Sequence, residues 1–176
     1  MRSRKFVILA GLRSLKRSPY LNKPYKSFMK TYNNTLPRFE LKHVQTDFPS
    51  VQITNSEKAS DFIRQFYGDD IHIFESAFLL LLNNANQTIG FAKISQGGIS
   101  STIIDVRLVA HYAINSLATG IIIAHNHPSG NCKPSEADIK LTKKFKEALQ
   151  LLEVYVLDSL ILTGTSYYSL ADNGDM

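Results

Sequence analysis

A chain of 176 residues, 44% hydrophobic and 20% charged, has the composition of one ordinary domain with a sizeable core. No apolar run approaches the roughly 20 residues a spanning helix needs, so no membrane segment is expected. The single cysteine, Cys132, excludes an internal disulfide framework and fits a reducing, cytoplasmic compartment.

The net charge of +5 is unevenly held. Residues 1–39 carry ten Lys/Arg and no acid, whereas residues 40–176 carry the other ten with all fifteen acids. A basic arm therefore precedes a mildly acidic body. Such an arm can neutralise nucleic-acid phosphates, and the body gives no footprint for that role.

The chain opens on "MRSRKFVILAGLRSLKRS", a basic start with a short apolar run, Phe6–Leu12. A signal peptide needs a longer apolar region and a small-residue cleavage site, and here basic residues resume at Arg13. Pro19, Pro24, "TYNN" and Pro37 then read as linker. Met29 inside this stretch is a second candidate for the start of translation. The boundary falls near residue 40, with residues 1–40 a basic, poorly ordered extension and 41–176 the domain.

Beyond it, "TNSEKASDFIRQFY" predicts a helix capped by Asn55 or Ser56, with Ala59, Phe62, Ile63 and Phe66 at helical spacing. "FESAFLLLLNN", "ANQT" and "IGFAKIS" read as strand, turn and returning strand, followed by the loop "GGISS". "DVRLVAHYAINSLATG" predicts a helix with Asp105 as cap and Gly120 just past its end. "IIIAHNH" is a continuous apolar strand ending in two histidines. "PSEADIKLTKKFKEALQLL" is an amphipathic helix using Ile139, Leu141, Phe145, Leu149 and Leu152. "VYVLDSLILTG" is a further strand and "SYYSL" a short last piece. One hairpin among alternating strands and helices implies an α/β (α+β) fold on a mixed sheet.

Chemistry gathers at "HNHPSGNCKPSEAD". In an extended chain, residues i and i+2 share a face, which sets the imidazoles of His125 and His127 side by side at a strand's C-terminal end. "PSGN" turns the chain, and the next helix carries Glu136 and Asp138 in its first turn, where a carboxylate can face back to the strand. Two imidazoles and one carboxylate leave a fourth tetrahedral position for water, the arrangement of a catalytic zinc. The pair Ser135-x-x-Asp138 is also a capping-box variant, and the two roles are compatible. Either half is weak alone; the full spacing after a buried strand is far more specific.

His125-x-His127-x7-Ser135-x2-Asp138 resembles the JAMM zinc motif of the JAB/MPN metalloproteases. The surrounding string from "IIIAHNHPSGNCKPSEAD" to "DSLIL", with "SQGGISSTIIDVR" and "YYSLADNG", is similar to the bacterial RadC branch over roughly residues 50–174. That resemblance implies a cytidine-deaminase-like JAB/MPN sandwich, a mixed central sheet flanked by helices. It implies Zn2+ held by His125, His127 and Asp138, with Glu75, the acid at the start of "ESAFLLLL", as general base. Ser135 would donate to the developing oxyanion, a role of about 3 kcal/mol by analogy with other oxyanion donors. The implied reaction is cleavage of a peptide or isopeptide bond in a peptide or protein substrate. Family members often carry a helix-hairpin-helix DNA-binding module before this domain, which residues 1–40 do not match. Where RadC-like chains read Asp-His, this one has Asp158-Ser159, leaving Asp158 to orient a ligand histidine.

Cys132 competes with Asp138 as a ligand and reads better as an exposed loop thiol. His43, His72 and His111 lack partners at ligand spacing. A DNA-repair factor binding through residues 1–39 is the alternative function. A catalytically dead scaffold is disfavoured by the intact Glu, His, His, Ser, Asp set.

Overall fold

The computed structural model describes residues 42–97 and 104–176. The basic arm, the boundary near residue 40 and most of the "GGISS" loop lie outside the described residues.

Helix α1, Ser56–Arg64, begins where Asn55 accepts a hydrogen bond from the Lys58 amide at 2.8 Å, settling the cap on Asn55. Its apolar spacing buries Ala59, Phe62 and Ile63. Strands β1, Ser76–Leu82, and β2, Thr88–Gln96, form the hairpin. Asn83 closes its turn by accepting from the amides of Ala85 and Gln87, and Asn86 adopts φ 55°, a conformation its short polar side chain tolerates.

Helix α2, Val106–Ser116, is capped by Asp105 as expected. Its C-terminus corrects the sequence expectation, because Leu117 at φ 57° is the left-handed cap. Gly120 instead opens β3, Gly120–Asn126. There a Cβ would lie 2.9 Å from Cδ1 of the Leu157 side chain, which would have to shift to admit it. Helix α3, Glu136–Gln150, ends before Leu152, which is 44% exposed rather than part of the apolar face. Thr142, Phe145 and Leu149 are its buried residues. Strands β4, Tyr155–Leu162, and β5, Tyr167–Ser169, are the last elements of the described residues.

The five strands form one sheet in the order β2-β1-β3-β4-β5. Among the described residues, only β3 and β4 pair in parallel, through the α3 crossover; the other pairs are antiparallel. The expected mixed sheet is therefore present. Strands β1 and β3 are buried along their whole lengths because both faces of the sheet are covered, which explains their unbroken apolar sequences. One face packs Ala77, Leu79, Leu81, Ile121 and Ile123 with Val109 and Ala113 of α2 and Phe145 and Leu149 of α3. The other packs Phe78, Leu80, Leu82, Ile122, Ala124 and Leu160 with Ala59, Phe62 and Ile63 of α1. Each fully buried Leu, Ile or Phe contributes about 1.5–3 kcal/mol by leaving water. Phe66, just past α1, stacks on Phe91 with centroids 3.9 Å apart, tying the second layer to the hairpin. Among the described residues, no helix is long and apolar enough to cross a membrane.

Candidate metal centre

The site forms at the C-terminal end of β3. His125 pairs with Ala77 across β1 and with Ile161 across β4, so its side chain shares the α2/α3 face with Ile121 and Ile123. The chain stays extended for one more residue, since the His127 amide donates to Leu162 O at 2.8 Å. His127 therefore falls on the same face, and the two Nε2 atoms lie 3.1 Å apart.

The following turn returns the chain. The Gly130 amide donates to His127 O at 3.1 Å, and Gly130 takes φ 81°, a left-handed conformation that glycine adopts freely. This brings the Asn131 carbonyl to 2.8 Å from His127 Nδ1. A carbonyl only accepts, so Nδ1 carries the proton and Nε2 of neutral His127 presents its lone pair.

Helix α3 supplies the third group. Ser135 is its N-cap and Asp138 the third helical residue, in a reciprocal capping box. Asp138 Oδ2 accepts from the Ser135 amide at 2.8 Å and the Ser135 hydroxyl at 2.7 Å. Its other oxygen, Oδ1, lies 3.2 Å from His125 Nε2, and Oδ2 is 3.9 Å from His127 Nε2. The cap orients the carboxylate, leaving Oδ1 for the pocket. Glu136, the other first-turn acid, pairs with Lys140 at 3.2 Å on the exposed surface and takes no part.

Burial by itself would raise the Asp138 carboxyl, but the adjoining His125 imidazole and the Ser135 hydroxyl and amide hold it below the ordinary carboxylate range. His125 is only 7% exposed. The ligating atoms of His125, His127 and Asp138 all lie within 4.8 Å of one another. Two imidazole nitrogens and a carboxylate oxygen converge this closely, an arrangement that a shared proton or a cation between them would satisfy. A divalent ion with tetrahedral N/O preference fits this donor set, and zinc is such an ion.

Glu75 is half-buried and immediately precedes β1. The β1–β3 pairing ends at Ala77↔His125, two residues after Glu75. Glu75 is not among the three converging groups that could hold a metal. The Ser135 hydroxyl accepts from the Asp138 amide at 3.2 Å and spends its one proton on Asp138 Oδ2.

Asp158 corrects the expectation. Its carboxylate accepts from Ser159 N at 2.7 Å, Ser169 Oγ at 2.6 Å and Ala171 N at 3.1 Å, and none of these bonds reaches a ligand histidine. It anchors β5 and the turn after it, because β4 carries it beside Ile122 and away from the strand end. Cys132 is half-buried rather than exposed, with Sγ 3.0 Å from Ser166 Oγ, and stands outside the ligand group. The Asn131 carbonyl, which fixes the His127 tautomer, was not foreseen; a backbone contact set by loop conformation leaves no sequence signal.

The sequence model of the family described as RadC-like JAB domain matches residues 53–175. A UPF0758 protein of Flavobacterium johnsoniae is 46% identical over 123 residues, 70% of this chain and 53% of that protein. Similar proteins from Porphyromonas gingivalis and Streptococcus sanguinis are 43% and 38% identical, over 69% and 71% of this chain and 53% and 54% of theirs. The chain thus spans about half the length of the curated relatives it matches.

Proposed function

The chain belongs to the RadC-like JAB domain family, and from that premise we propose that it is a zinc-dependent hydrolase cleaving a peptide or isopeptide bond. The observation that carries this reading is the convergence of His125 Nε2, His127 Nε2 and Asp138 Oδ1, with Ser135 bonded to the same carboxylate. Zinc held there would supply a Lewis acid that polarises the scissile carbonyl and lowers the pKa of water to roughly 7.

The protein's own groups do the rest. Glu75 takes the proton of the attacking water and gives it to the leaving nitrogen as the C–N bond breaks. The Asn131 carbonyl holds the His127 tautomer, which keeps Nε2 a ligand through the cycle. Ser135 releases Asp138 Oδ2 to donate its hydroxyl proton to the developing oxyanion, while its backbone amide keeps the carboxylate in place.

Glu75→Gln tests the assignment. It is expected to retain wild-type zinc and to lower hydrolysis of a mixed peptide library by about 10²-fold or more. Undiminished hydrolysis would remove Glu75 from the reaction. A second reading, DNA association through residues 1–39, rests on the charge partition, ten basic residues without an acid. The reducing, cytoplasmic setting proposed for either reading rests on the single cysteine.

A further inference from the structure

Asn126 lies between the two histidines, and alternation along β3 turns its side chain to the opposite face of the sheet. It is fully buried. Its amide makes three hydrogen bonds, all to backbone some fifty residues upstream. Oδ1 accepts from the Ser76 amide at 2.7 Å, and Nδ2 donates to Ile71 O at 2.7 Å and Phe74 O at 2.8 Å.

These partners bracket Glu75. The Phe74 carbonyl belongs to the peptide unit before its Cα, and the Ser76 amide to the unit after it. The Glu75 carbonyl is held separately by the Gly97 amide at 2.8 Å. One acceptor and two donors on a short planar group are what this position uses, and among the side chains only an amide offers them. Asp lacks the donors, and Ser or Thr cannot reach all three partners.

We infer that Asn126 is a positioning residue that fixes Glu75 relative to His125 and His127. It rests on the hydrolase reading for its catalytic consequence, while the mechanical coupling stands without it. Because Asn126 shares a strand with both histidines, any movement of β3 carries the segment bearing Glu75 with it. Beyond the last paired residues of the two strands, Ala77 and His125, the Asn126 side chain carries the connection on to the peptide units flanking Glu75.

The test compares Asn126→Ala and Asn126→Ser with the wild type on three readouts: zinc per chain, amide hydrogen exchange, and hydrolysis of a mixed peptide library. Zinc is expected at the wild-type level. Exchange at Ser76 and Gly97 is expected to quicken at least tenfold, with the amides of Ile121 to Ala124 unchanged and library hydrolysis down at least tenfold. Should the Ala variant fail to fold, the Ser variant, which can retain one partner, carries the same readouts. Wild-type exchange at Ser76, or loosening of β3 together with it, overturns the coupling. Loosened Ser76 with undiminished hydrolysis overturns the positioning role. A wild type that hydrolyses nothing, with zinc and exchange as expected, refutes the hydrolase reading and supports the coupling.

Discussion

Asp138 serves two purposes with two oxygens: Oδ2 closes the cap of α3 and Oδ1 faces His125. Ser135 is the hinge of that arrangement, so its removal should be felt in both. Ser135→Ala is expected to lower stability by about 1 kcal/mol, the ordinary worth of an N-cap. It should also weaken zinc binding by roughly 10–100-fold, as loss of a group orienting a ligand does. Denaturant midpoints and chelator competition measure the two effects. Zinc affinity unchanged alongside the lost cap would show that the backbone amide of Ser135 suffices to hold the carboxylate. At this scale the sequence was informative wherever geometry is local. His125 and His127 follow from the two-residue repeat of a strand, and Ser135 with Asp138 from the first turn of a helix. Helix spacing alone left Glu136 and Asp138 open and only the motif resemblance chose between them, and Asn126 has partners too far upstream to be read from the sequence.

Elements place these residues, and the strands differ in what sets them. Strands β1 and β3 are legible as apolar runs because they are covered on both faces. Asp158 in β4 could not be placed that way, since its partners Ser159, Ser169 and Ala171 are defined by how β5 returns. Burial raises the Asp158 carboxyl above its ordinary value, against the hydrogen bonds from Ser169, Ala171 and Ser159. The folded state thus favours the protonated form. Its contribution to stability is fully present below the unfolded value of 3.8 and is lost as pH rises through the folded value. Asp158→Asn keeps the shape and cannot ionise, so it should remove that part of the decline in stability. Denaturant unfolding from pH 4 to pH 7 checks this, and identical slopes for variant and wild type would contradict it.

Taken as a whole molecule, the chain joins a basic segment to an acidic domain, and the two parts imply different partners. If residues 1–39 bind DNA, affinity should fall steeply with salt in the full chain, and deletion of the segment should abolish it. Absence of binding in both would dispose of the nucleic-acid reading. Topology was legible in part: the hairpin and the mixed character of the sheet follow from the order of apolar runs, turns and caps. The order of strands in the sheet was not, because it depends on which apolar faces meet.

The proposed chemistry depends most on a metal at the end of β3. Elemental analysis of the purified wild type, Glu75→Gln and His127→Ala tests it directly. One zinc per chain is expected in the first two and none in the third. No zinc in the wild type, or a full complement in His127→Ala, would contradict the assignment.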